Sequence, residues 1–152
     1  MNLIDPPRKG IVRFTIPGEP CGKGRPKFTT RGGYARAVTP AKTANYETLV
    51  KMEYQQQCPG IVFDRDKALG MRITAYKAPP SSASKRKAIQ MLEGAIFPGK
   101  KPDWDNLGKI ICDALNGIAY IDDAQIVDAH VIKRYARVPS VEVEIWEEGV
   151  NG

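Results

Sequence analysis

Apolar and polar positions alternate, or recur at helical spacing, in successive stretches of the chain, and their order predicts the architecture. Residues 11–17 (Ile-Val-Arg-Phe-Thr-Ile-Pro) alternate in part and end at a proline, as a strand does. Pro40 opens a helix over about 41–57, with Thr39 as its cap and an apolar side of Tyr46, Leu49, Val50 and Met52; Cys58-Pro59-Gly60 stops it. Residues 70–77 place Met71, Ile73 and Ala75 on one face of a second strand. Ser81 to Glu93 reads as a short serine-capped helix. A further helix, capped by Asp105 or Asn106 and ended by Asn116-Gly117, runs to about Leu115 with Leu107, Ile110, Ile111, Ala114 and Leu115 on one arc. Strands at Ile118–Ile121, Ile126–Tyr135 and Val141–Trp146 complete the order βαβααβββ. That order predicts an α+β domain, a mixed sheet packed with helices.

At 152 residues the chain is one domain long. The pattern divides it into a tail over 1–10 and a single domain over 11–152, interrupted by a glycine-, proline- and lysine/arginine-rich loop over 18–39. A loop of that length in a compact domain is more often functional or disordered than filler. No apolar run approaches the ~20 residues of a membrane span, so no membrane association is expected. The first residues lack the apolar core of a signal peptide; together with three cysteines of no short spacing (Cys21, Cys58, Cys112), this predicts a cytoplasmic protein without disulfides or a zinc knuckle. The single histidine, His130, excludes two-histidine zinc sites and sits in a strand with no nucleophile signature nearby. Any chemistry must therefore come from carboxylates, lysine or arginine.

Charge is unevenly placed. Of the net +6, residues 1–51 contribute +7 and residues 52–152 contribute −1. A basic N-terminal third suits a polyanionic partner, nucleic acid foremost, although a solvated basic surface would give the same balance.

The acidic counterpart is Lys101-Pro-Asp103-Trp-Asp105-Asn-Leu-Gly-Lys109. Asp103 and Asp105 are two apart and would point to one side of an extended chain. Asp105, Lys109 and Asp113 then share the helix face opposite its apolar arc, and Asp122-Asp123 could return to the same neighbourhood. Clustered carboxylates repel unless protonated or bound to a cation. Oxygen donors without histidine or thiol suit Mg²⁺ or Mn²⁺. Mg²⁺ beside a basic surface implies phosphate chemistry, with a metal-activated water and a lysine where negative charge develops. The bland reading stays open here: Asp105 as a cap, Lys109 pairing with Asp105 and Asp113, and Asp122-Asp123 as a turn.

Three motifs in order, Lys101-Pro-Asp103-Trp-Asp105-Asn106-Leu107-Gly-Lys109, Asp113-Ala-Leu-Asn-Gly117 and Tyr120-Ile-Asp122-Asp123-Ala-Gln125-Ile-Val-Asp128, closely resemble the RusA family of Holliday-junction resolvases. The resemblance extends to Gly22-Lys23-Gly24-Arg25-Pro26-Lys27 and to Thr39–Glu47, as in longer phage and prophage members, and so covers about 11–135. It implies a Mg²⁺-dependent endonuclease that acts as a homodimer and nicks four-way DNA junctions symmetrically. On this sequence the family's catalytic carboxylates fall on Asp103, Asp105 and Asp123, which would hold the metal and its water, and the essential lysine falls on Lys109. Asp122 ranks below Asp123, and Asp113 as a helix-surface or supporting residue. The basic loop and the additional residues around 78–100 depart from the shortest members, which leaves the cut-site preference open.

The loop around Lys23 does not meet the phosphate-loop pattern. Its spacing is one residue short and Gly24 stands where Ser or Thr would meet Mg²⁺, so no nucleotide cofactor is expected. Its glycines instead suit close approach to a DNA backbone, with Lys23, Arg25, Lys27, Arg31, Arg36, Lys42 and Lys101 as the DNA-binding track. Lys85-Arg86-Lys87 reads as a solvated face. Trp104 is either a core or dimer contact or a residue that stacks on opened bases; His130 reads as structural. Two alternatives stand beside the resolvase: a non-catalytic nucleic-acid-binding module, and a less selective branched-DNA or flap nuclease.

Overall fold

In a computed structural model, which describes residues 10–24, 27–29, 33, 36–38 and 40–152 without the side chains of 27–29 and 36–38, the alternating segments become strands. In chain order the elements are β1 (Val12–Pro17), β2 (Lys27–Thr29), β3 (Arg36–Val38), α1 (Ala41–Gln57), β4 (Lys67–Lys77), α2 (Lys85–Leu92), α3 (Trp104–Leu115), a 3₁₀ turn at Asp123–Gln125, β5 (Ile126–Tyr135) and β6 (Ser140–Val150). β1, β6, β4 and β5 form one mixed sheet in that order, antiparallel except for the parallel pair β4 and β5. The α+β class with a single mixed sheet is thereby shown.

Alternation decides which face of the sheet is buried. Met71, Ile73 and Ala75 of β4 lie opposite Ile145, Val143 and Val141 of β6, whose other side meets Phe14 and Ile16 of β1. All are at most 2% exposed. Tyr46, Val50 and Tyr54 of α1 and Leu107, Ile110, Ile111, Ala114 and Leu115 of α3 belong to the same core. The in-between positions are polar: Arg13 and Arg72 both pair with Glu144, at 2.9 and 3.8 Å. The last residue of α1, Gln57, lies along the outer edge of β1, where its amide accepts from the Thr15 N–H (2.9 Å) and donates to the Thr15 carbonyl (2.8 Å).

Several local expectations are corrected. Ile118–Ile121 is not a strand and holds only the bridge between Asn116 and Tyr120. The chain turns at Gly117 (φ 74°), and the amides of Ile118 and Ala119 both donate to the Leu115 carbonyl. The apolar run there reflects the burial of Ala119 and Tyr120 instead. The basic loop contains a short antiparallel pair, β2 with β3. α2 is capped by Ser84, whose Oγ accepts from the Lys87 N–H, and not by Ser81. Met52 is 53% exposed and takes no part in the apolar side of α1. Thr39 lies outside the described residues.

Gly70 of β4 lies opposite Trp146 of β6. A Cβ at residue 70 would sit 2.2 Å from the indole of this fully buried tryptophan. Gly70→Ala is expected to destabilise the fold by about 2–3 kcal/mol through overpacking, read as a lower urea midpoint with unchanged slope. A midpoint equal to wild type would mean the indole has room to move.

The connection from β4 to the parallel strand β5 carries α2, α3 and the 3₁₀ turn, and with them every candidate carboxylate. A rigid sheet thus presents one long crossover on which the polar groups are arranged.

Candidate active site

α3 starts one residue earlier than its sequence suggests. Asp103 holds the N-cap position, in place of Asp105 or Asn106, yet its side chain makes no capping hydrogen bond. Asp105 lies in the first helical turn, so the side-by-side geometry of an extended chain does not apply to the two. Among the described residues neither carboxylate accepts a hydrogen bond or enters an ion pair. Both border a shallow depression of about 510 Å³, together with Lys100, Lys101, Trp104 and Lys133. The backbone leading into Asp103 is held by two lysines: Lys77 Nζ donates to the Lys101 carbonyl at 2.8 Å and Lys133 Nζ to the Lys100 carbonyl at 2.6 Å.

Asp103 also lines a second cleft of about 890 Å³, with Lys23, Lys42, Lys77, Lys101 and Asn106. The loop glycines have a packing role here. A Cβ on Gly22 would lie 3.0 Å from Pro102 Cβ, and one on Gly24 would lie 2.7 Å from Thr43 Oγ1. The Gly24 N–H donates to that hydroxyl at 2.9 Å, and the Lys23 N–H donates to the Asn106 carbonyl at 3.0 Å. These amides therefore dock the loop onto α1 and α3, and the expectation that they approach a DNA backbone is replaced by that role.

Lys23 turns inward. Its ammonium lies 3.1 Å from Glu47 of α1 and 3.2 Å from Asp113 of α3, with only 19% of the side chain exposed. Burial pulls its pKa down, but hydrogen bonds and charges from Glu47 and Asp113 outweigh this and hold it above the usual lysine range. Lys109 shares the same Asp113 oxygen at 3.5 Å and leaves 62% of its side chain exposed. Lys109 makes no ion pair with Asp105 among the described residues. Asp113 thus gathers two ammonium groups, one partly buried and one facing outward. Lys42 is exposed on the first turn of α1, and Lys101 is exposed before Asp103. Arg25 and Arg31 lie outside the described residues; Lys27 and Arg36 fall on β2 and β3, whose side chains are likewise outside.

The turn after α3 is built around two amides. Gln125, 3% exposed, uses all four of its hydrogen-bonding positions. Its Oε1 accepts from the N–H groups of Ile121 and Asp122, and its Nε2 donates to the carbonyls of Asp64 and Lys67. Asp122 completes a capping box, accepting from the Ala124 N–H. Asn116, at the end of α3, accepts from the Asp123 N–H at 2.9 Å. The Asp123 carboxyl is pushed above the usual carboxylate range by partial burial, then by Asp122 and more weakly by Asp113, with Asn116 acting in the opposite sense. Asp122 is therefore a cap, while the Asp123 side chain remains outside the capping box.

Glu47, Asn116 and Gln125 support this arrangement without having stood out as functional residues. For Gln125 a signal existed: Asp-x-x-Gln is the capping-box pattern. His130 sits on the β5 edge and pairs with Asp128 at 2.9 Å. The three thiols are free, and burial pushes each above the usual range, Cys112 to about 11; none is poised as a nucleophile. Among the described residues no helix is long and apolar enough to cross a membrane.

The site thus offers uncommitted carboxylates beside a lysine-lined cleft, on a small α+β domain. The chain belongs to the RusA endodeoxyribonuclease family: residues 17–146 match the family model described as "Endodeoxyribonuclease RusA". It is also 36% identical, over 138 residues, to the "Uncharacterized protein YqaN" of Bacillus subtilis (strain 168), covering 90% of this chain and 96% of that protein. Membership makes it an endonuclease of the kind that resolves Holliday junctions.

The family implies a divalent metal, and the donor chemistry here fits a hard cation. Asp103, Asp105 and Asp123 offer oxygen only, and two of them are uncommitted. Among the described residues, however, no three Asp, Glu, His or Cys side chains converge as a metal-holding group.

Proposed function

We propose that the protein is a Mg²⁺-dependent, structure-selective endonuclease that resolves four-way DNA junctions by paired symmetric nicks. The observation that carries this reading is the pair Asp103 and Asp105, uncommitted on the depression bordered by Lys100, Lys101 and Lys133, with Asp103 also lining the lysine cleft. A purely DNA-binding surface gains nothing from two uncompensated carboxylates, which repel phosphate. Capping and pairing, the bland alternative, account for Asp122 and Asp113 alone.

In this reading Asp103, Asp105 and Asp123 would hold the cation, which when bound supplies a water of lowered pKa and neutralises charge on the phosphate. The remaining work belongs to side chains on the page. The exposed ammonium of Lys109, anchored through Asp113, meets negative charge developing on the phosphate oxygens. Lys23 fixes Asp113 from behind and joins α1 to α3, so its contribution is positioning rather than direct DNA contact. Asn116 holds the Asp123 N–H, and Gln125 holds the turn just before it through the N–H groups of Ile121 and Asp122. Lys42 and Lys101 bind the incoming phosphates, with Arg25, Lys27, Arg31 and Arg36 continuing the track. One domain offers one such site, so two nicks on opposing strands call for a homodimer; we place its action in the cytoplasm.

The test is an end-labelled synthetic four-way junction beside a linear duplex, each in Mg²⁺ and in EDTA. Paired, Mg²⁺-dependent nicks on the junction alone are expected. Equal cutting of flap or linear substrates would favour the less selective nuclease, and binding without cleavage would leave a binding module. The cleft makes a separate prediction: replacing Lys42 and Lys101 together by alanine should weaken junction binding and reduce the slope of log affinity against log salt by about two. An unchanged slope would remove the cleft from the DNA interface.

A further inference from the structure

Two large aromatic side chains stand exposed beside the carboxylates, Trp104 at 65% and Phe97 at 61%. Single exposed apolar residues are ordinary on a protein surface, but these two line the same depression of about 490 Å³, whose floor includes Val131 and Ile132 of β5. Through Gly99, Trp104 and Lys133 that depression is continuous with the one bordered by Asp103 and Asp105. The aromatic groups are also held in place. Trp104 is the first residue of α3, between the two carboxylates. Phe97 carries the Arg134 guanidinium 5.3 Å from its ring centroid. The loop between them is pinned by Lys133 at the Lys100 carbonyl.

We propose that Trp104 and Phe97 form a stacking platform for an unpaired nucleobase opened at the branch point of the DNA, next to the phosphate that is cut. The proposal rests on the nuclease reading above and names how that site selects branched substrates. Flat aromatic faces stack on any base, and an arginine plane adds a cation–π contribution. The rim fits the same occupant, because Lys133 and Arg134 border the apolar floor and Lys100 and Lys101 border the adjoining depression, a positive charge complementary to a phosphate backbone. A second copy of this chain, net +6, would bring like charges against that rim. In continuous duplex the bases are stacked and paired, so the platform has nothing to receive. At a branch point the cost of exposing a base is already partly met.

A coupling experiment tests this. Junction binding in EDTA is measured for the wild type, Trp104→Ala, Phe97→Ala and Trp104→Phe, on an intact four-way junction and on one with abasic nucleotides at the branch point. On the intact junction each alanine variant is expected to lose about tenfold or more in affinity, and Trp104→Phe to recover most of it. On the abasic junction the wild type should fall to the level of the variants, which lose little further. Equal losses on both junctions, or none on either, would overturn the platform. So would a shift of the Trp104→Ala protein to a smaller species in sedimentation, which would make the patch a contact between copies. Cleavage of the intact junction by wild type in Mg²⁺ is scored separately. Its failure removes the nuclease, whereas failure of the coupling alone removes only the platform.

Discussion

Asp105→Asn is expected to bind a four-way junction as tightly as wild type, or more tightly, and to cut it at least about a thousandfold more slowly. Asparagine keeps the size of the side chain and removes its charge. Little in the fold depends on that charge beyond a helix-dipole term of about 0.3–1 kcal/mol, since Asp105 is exposed in the first turn of α3 and has no hydrogen-bond or ion-pair partner among the described residues. The loss therefore falls on the reaction. A missing carboxylate donor weakens a cation worth several kcal/mol of transition-state stabilisation, and each ~1.4 kcal/mol is tenfold in rate. Binding moves the other way because one negative charge near phosphate is gone. Single-turnover cleavage and mobility shift, run on the same junction, separate the two effects. Wild-type cutting by this variant would show that Asp105 is a surface residue.

The second large effect falls on a residue that touches no substrate. Gln125→Leu preserves the size of the side chain and deletes four hydrogen bonds at once, leaving the N–H groups of Ile121 and Asp122 without this acceptor and the carbonyls of Asp64 and Lys67 short of one donor, although Asp64 keeps the Lys67 N–H. A buried polar group left unpaired costs about 1–3 kcal/mol. With partial rehydration of the exposed turn, a total loss of about 3–5 kcal/mol is expected, seen as a lower urea midpoint. Cleavage at a temperature where the variant is still folded should fall as well, because the turn that carries Asp123 loses its tie to the start of β4. Full activity in the folded variant would show that Asn116 alone holds Asp123 in place.

What could be read from the sequence was whatever repeats locally. The apolar arc Leu107–Leu115 and the alternation in Val141–Ile145 are buried as their periods require, and Pro40 does precede α1. Missed were features decided by distant partners. No local pattern says that β4 and β5 run parallel, or that β6 lies between β1 and β4. At Ala119 and Tyr120 burial imitated the signature of a strand. In the site, motif order singled out the carboxylates and Lys109 as candidates, but Lys23 read as one more basic loop residue because Glu47 and Asp113 come from two other segments. Gln125 was hidden by its type, since a buried glutamine is recognised only once its four partners are known.

The sheet order also sets a schedule for synthesis. Residues 140–150 follow every other described element in the chain, yet they fill an interior position between β1 and β4. Until they leave the ribosome, the first strand has no neighbouring strand among the described residues and the main apolar face cannot close. The protein must wait for its own C-terminal segment before it acquires a native core, and such non-local closure is slow and exposes apolar surface to aggregation. A nascent chain stalled before residue 140 should be protease-sensitive throughout, and one released past residue 150 should be protected in a single step.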